Sequence, residues 1–135
     1  MNARYPVVAK RAPHRCEYCG APEAIFNSPF EVEHIEPLVR GGSDEESNLA
    51  QACRSCNLHK ADALDAPDPV TQTVLRLFHP RRDVWGDHFT VEVRTGEIVG
   101  RTSVGRATVS RLQMNTQAQL AARRQWMRLK LFPPV

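Results

Sequence analysis

This 135-residue chain predicts a small α+β domain held together by one metal ion. Two C-x-x-C pairs, Cys16/Cys19 and Cys53/Cys56, use all four cysteines and are separated by 33 residues. Such knuckles can supply four thiolates to one tetrahedral zinc. Strand-like alternation lies between them, and a helix–hairpin–helix pattern follows. The first residues, Met1 to Tyr5, lack the apolar core of a signal peptide, so a cytoplasmic protein is expected. In that compartment paired C-x-x-C motifs favour a structural zinc over disulfides.

Taken in order, the polar arm to Pro13 reads as extended. Phe30 to Glu36 alternates Phe30 and Val32 against Glu31 and Glu33, a strand pattern. Arg40-Gly41-Gly42-Ser43-Asp44 reads as a loop because paired glycines interrupt regular structure. Asn48 opens a predicted helix to about residue 62. Asp68-Pro69, a cap followed by proline, predicts a second helix carrying Val70, Val74, Leu77 and Phe78 and ending at Pro80. Phe89–Arg94 and Glu97–Thr102, joined by Thr95-Gly96, predict a β-hairpin. Helices are expected from Ser103 to about Leu112 and from Asn115 to about Leu131, where Pro133-Pro134 stops the chain. With no repeats, residues 1–135 read as one domain: a core of about 14–62 and a C-terminal extension of about 63–135. Trp85, Phe89 and Trp126 are assigned to the core of the extension, and His14, His79 and His88 to packing or surface.

Charge is unevenly spread. From Arg94 onward eight Lys/Arg face one acid, a balance of +7, whereas the preceding residues sum to −4. The first fifteen residues hold Arg4, Lys10, Arg11 and Arg15 and no acid. Basic ends around an acidic middle suit a polyanion gripped at its edges with a cation between. No apolar run approaches the roughly 20 residues of a membrane helix.

Candidate chemistry concentrates between the knuckles. Cys53, Cys56, Asn57 and Lys60 fall on one helical face, while His34 lies on the strand that the zinc site would draw against it. Histidine is the side chain best poised to take a proton near neutral pH. Glu33 and Asn57 offer oxygen ligands suited to Mg²⁺. A base and a hard cation are what phosphodiester hydrolysis needs. His59 is placed about 160° around the helix from Asn57 and is expected to point elsewhere.

The run Cys16-Glu-Tyr-Cys19, then VEHIEPLVRGGSDEESNL, then Cys53-Arg-Ser-Cys56-Asn57-Leu-His-Lys60 resembles the HNH endonucleases with a four-cysteine zinc site. The resemblance spans roughly residues 14 to 62. It implies a ββα-metal fold and metal-dependent cleavage of DNA. His34 then corresponds to the general base, and Asn48 to the asparagine that orients it. Glu33 and Asn57 correspond to ligands of a catalytic Mg²⁺ or other divalent cation. Many members carry aspartate at the position of Glu33 and histidine at that of Asn57, so this is an H-N-N variant.

The sequence therefore points to an endonuclease acting on double-stranded DNA with weak sequence preference. Arg40, Arg54, Lys60, Arg123 and Arg124 are the expected phosphate contacts, since such contacts position the duplex without reading it. Protein partners are not indicated. The opposing reading is a non-catalytic zinc-knuckle module that binds nucleic acid, and only Glu33, His34 and Asn57 separate the two.

Overall fold

A computed structural model describes residues 1–134. The chain opens with helix α1 (Tyr5–Arg11), not an extended arm. Tyr5, Val8, Ala9 and Ala12 repeat at helical spacing, and Val8 and Ala9 are buried where the helix packs against the strand of residues 49–52. That stripe outweighs the polar composition of the arm. Two of the arm's arginines are spent on the neighbouring backbone. Arg11 donates to the carbonyls of Glu46 (2.9 Å) and Leu49 (2.6 Å), and Arg4 to that of Asp44 (2.9 Å).

Strand β1 (Glu31–His34) pairs antiparallel with β2 (Leu49–Ala52), His34 opposite Leu49. Helix α2 (Arg54–Lys60) follows at once, its N-cap Cys53 in an extended conformation. The predicted helix from Asn48 is thus corrected to a strand followed by a shorter helix. Four buried residues, Leu-Ala-Gln-Ala, have no periodicity that separates a strand from a helix. Extended Cys53 ends the strand by turning its sulfur onto the Cys56 N–H, 3.4 Å away.

The predicted helix at Asp68 is likewise a hairpin, β3 (Asp65–Pro67) with β4 (Val74–Arg76). Asp68 accepts from the Val70 N–H (2.9 Å) and the Thr71 hydroxyl (3.2 Å), an Asx-type turn. The same aspartate–proline signal serves helix caps and turns alike. Beyond it, α3 (Trp85–His88) leads into the hairpin of β5 (Phe89–Glu92) and β6 (Glu97–Gly100), with Gly96 left-handed at the turn. Helices α4 (Ser103–Arg111) and α5 (Gln117–Arg128) are capped by Thr102 and Thr116 and match expectation.

One apolar cluster runs from Cys16, Tyr18 and Phe30 through Phe78 and Phe89 to Trp126 and Phe132. Trp85 joins the two parts of the chain by donating from Nε1 to the Tyr18 carbonyl, 2.8 Å away. Among the described residues no helix is long and apolar enough to cross a membrane.

Asp68 also ties its hairpin to α4, accepting from Arg106 Nη2 at 2.8 Å and Nε at 3.0 Å. The Arg106 guanidinium holds the Asp68 carboxyl far below the usual range. Its contribution to stability is present above the unfolded value of about 3.9 and is lost as pH falls further. Urea titrations between pH 5 and 2 should show a smaller acid loss for Asp68→Asn than for the parent. Parallel losses would contradict this assignment.

Candidate functional site

The four-cysteine cluster joins two distant segments. Cys16 and Cys19 sit on the loop after α1, Cys53 caps α2, and Cys56 lies in its first turn. All four are buried free thiols whose sulfurs lie within 4.8 Å of one another. Cys19 Sγ and Cys53 Sγ are 3.8 Å apart. A tetrahedron with zinc–sulfur bonds of ~2.3 Å has edges of about the same length. Crowding by Cys16, Cys19 and Cys53 pushes the Cys56 thiol well up, so four thiolates need a dication to coexist there. Geometry, burial and donor softness all fit zinc.

His34 stands at the C-terminal end of β1 with its side chain 23% exposed. Its Nε2 lies 2.8 Å from Asp44 Oδ1, and Nδ1 makes no hydrogen bond among the described residues. The loop carrying Asp44 is fastened from inside by Asn48. That side chain accepts from the Glu36 N–H (2.8 Å) and donates to the carbonyls of Glu36 (2.9 Å) and Ser43 (2.7 Å). Its own carbonyl accepts from the Ile35 N–H at 2.9 Å. Asn48 thus braces the loop beside His34, and the helix cap at α2 falls to Cys53 instead. Gly42 is required in this loop because a Cβ there would collide with the Glu36 carbonyl oxygen.

Glu33 lies on the opposite face of β1, since neighbouring strand residues alternate. It is 4% exposed and paired with Lys60, itself 1% exposed, at 2.5 Å. Tyr18 donates its hydroxyl to Glu33 Oε2 (2.7 Å), and Lys60 also donates to the Ile35 carbonyl (2.9 Å). Burial pushes the Glu33 carboxyl up, against the downward pull of Lys60 and Tyr18. Asn57 meets a different carboxylate. Its amide donates to Glu31 Oε1 at 3.1 Å, an oxygen shared with Arg54.

These placements correct several assignments. Glu33 is not an open ligand: its charge is already matched by an ammonium inside the protein, and a hydrated divalent cation would have to expel Lys60. Glu33, as arranged, does not fit such a cation, and by the alternation of β1 it faces away from His34. Lys60 is no phosphate contact, because it is buried. Arg123 is 0% exposed and spends its guanidinium on the carbonyls of Gly96 and Met114, both at 2.8 Å. Arg40, Arg54 and Arg124 are exposed. Arg40 donates to the Asp62 carbonyl at 2.9 Å and Arg124 to that of Thr95 at 3.2 Å. His59 turns back to the Ser55 carbonyl at 2.8 Å. Asp44, Glu31 and Tyr18 escape a reading of the sequence; no spacing rule marks them, because their roles depend on which face of the strand or loop they occupy.

Residues 16–63 match the family model of the HNH endonucleases. No curated protein and no solved structure matches the chain.

Two variants test the architecture of the site. Cys53→Ser should release zinc and unfold the central region, since structural zinc contributes roughly 10 kcal/mol or more, comparable with a whole domain's stability of about 5–15 kcal/mol. Native protein found metal-free by elemental analysis would contradict this. Lys60→Met should cost roughly 3–5 kcal/mol by stranding buried Glu33, and adding Glu33→Gln should recover part of that loss. Denaturant midpoints measure both, and a silent Lys60→Met would refute the ion pair.

Proposed function

With an HNH segment at residues 16–63 as the premise, we propose that this protein is an endonuclease that hydrolyses phosphodiester bonds of double-stranded DNA. The observation that carries the reading is His34, partly exposed, braced by the Asn48 loop and tethered through one ring nitrogen. In the proposed reaction Nδ1 takes a proton from water, and the water oxygen attacks phosphorus in line. The bond to the 3′ oxygen breaks, the departing oxygen takes a proton from water to become a 3′-hydroxyl, and a 5′-phosphate is left. A zinc ion held by Cys16, Cys19, Cys53 and Cys56 would support the site without joining the chemistry, because four thiolates would leave no place for water.

A divalent cation such as Mg²⁺, which the family resemblance implies, would neutralise charge on the phosphate. Glu33 is sealed against Lys60 and offers that ion no open ligand. The sealed carboxylate is also the one observation favouring the second reading, a zinc-knuckle module that binds nucleic acid without cutting. Under either reading the core of about 14–62 and the extension of about 63–135 act as one domain. The duplex is gripped through its backbone by exposed Arg40, Arg54 and Arg124, with weak sequence preference.

Supercoiled plasmid incubated with EDTA, Mg²⁺, Mn²⁺ or Zn²⁺ decides between the readings. The parent should nick it with a divalent cation, and His34→Ala should lose about 10²- to 10⁴-fold in rate while zinc content and melting stay unchanged. A parent that cuts with none of these ions supports the binding module; an equally fast His34→Ala removes His34 as the base. Charge reversal on α5 tests the grip. Arg124→Glu with Arg128→Glu, both exposed, should weaken binding to all duplexes alike and flatten the salt slope by about 0.9 for each phosphate no longer neutralised. An unchanged slope would mean that α5 faces away from DNA.

A further inference from the structure

We propose that Asp44 is the positioning residue of His34 and that the N-terminal helix holds Asp44 in place through Arg4. This rests on the nuclease reading and on a chain of contacts. Arg4 Nη1 donates to the Asp44 carbonyl at 2.9 Å, and its Nη2 lies 4.0 Å from Asp44 Oδ2. The other carboxylate oxygen, Oδ1, faces His34 Nε2 at 2.8 Å. A carboxylate on one ring nitrogen fixes the proton there, orients the ring and leaves the other nitrogen as the acceptor. Here that fixes the proton on Nε2 and leaves Nδ1 to take one from water.

The loop bearing Asp44 is held on two sides. Asn48 ties Ser43 and Glu36 from within, while Arg11 binds the carbonyls of Glu46 and Leu49 from α1. Arg4 and α1 precede the family-matched residues 16–63, so the orientation of the base depends on a segment outside that match. Asp44 is 64% exposed and Arg4 40%, and surface ion pairs of this kind add little stability. Removing the pair should therefore show in turnover and leave melting unchanged. The His34 hydrogen bond also holds the Asp44 carboxyl below its ordinary range, as a charge-accepting partner should be.

The test uses the full zinc-loaded chain, supercoiled plasmid and Mg²⁺ or Mn²⁺. Asp44→Ala should lower kcat about 10- to 100-fold with KM and melting temperature unchanged, and Asp44→Glu should restore part of it. Arg4→Ala should give a smaller loss of the same kind. Imidazole ¹⁵N NMR at pH 8 should find His34 protonated on Nε2 in the parent and distributed over both nitrogens in Asp44→Ala. Parent-like kcat in Asp44→Ala overturns the proposal. A loss carried by KM also overturns it, making Asp44 a DNA contact, as does a parent ring protonated on Nδ1. A parent that cuts with no cation strikes the nuclease reading itself, and the tautomer alone then upholds or overturns the Asp44–His34 contact.

Discussion

Four thiols within 4.8 Å of one another tie the loop after α1 to the first turn of α2, and the candidate site hangs from that joint. Folding brings together two pairs of cysteines far apart in sequence, and a zinc ion held there would make their proximity favourable where four thiols alone would crowd. With α2 fixed, Lys60 reaches back to Glu33 and to the Ile35 carbonyl, so β1 is locked onto the helix. The strand's alternation then decides the rest. Glu31 and Glu33 face α2, and His34 faces the Asp44 loop.

That division has a chemical consequence. Around Glu33 the face toward α2 is buried and internally neutralised, with Tyr18 hydrogen-bonded to Glu33 and Lys60 paired with it. The face toward Asp44 is partly open to solvent, and there His34 keeps one ring nitrogen without a hydrogen bond among the described residues. A buried ion pair of this quality holds strand to helix but is costly to open. A cation recruited to Glu33 would have to meet that cost.

Much of this is legible in residue order. The cysteine spacing predicts the clamp, Thr95-Gly96 the second hairpin, and the stretches 103–112 and 115–131, the latter stopped by Pro133-Pro134, the helices α4 and α5. Helix α1 escapes because its apolar stripe is short and set among basic residues. Strand β2 escapes because four buried residues carry no period. Lys60 and Arg123 show why charge counting fails residue by residue. A basic side chain looks the same in sequence whether it meets DNA or a buried carbonyl, and only the packing of β1 on α2, or of α5 on the Gly96 turn, separates the two. Asp44 is invisible for a related reason: its partner is ten residues away across a loop whose path Asn48 sets.

If water activated beside His34 breaks a phosphodiester at its 3′ oxygen, the oxygen of that water must end on the new 5′-phosphate. Cleavage of duplex DNA in H₂¹⁸O, followed by mass spectrometry of the new ends, reads this out. One ¹⁸O is expected in each new 5′-phosphate, with about 10²- to 10⁴-fold fewer such ends in the same time for His34→Ala. Label in a 3′-phosphate, or strand breaks carrying no label, would contradict the mechanism.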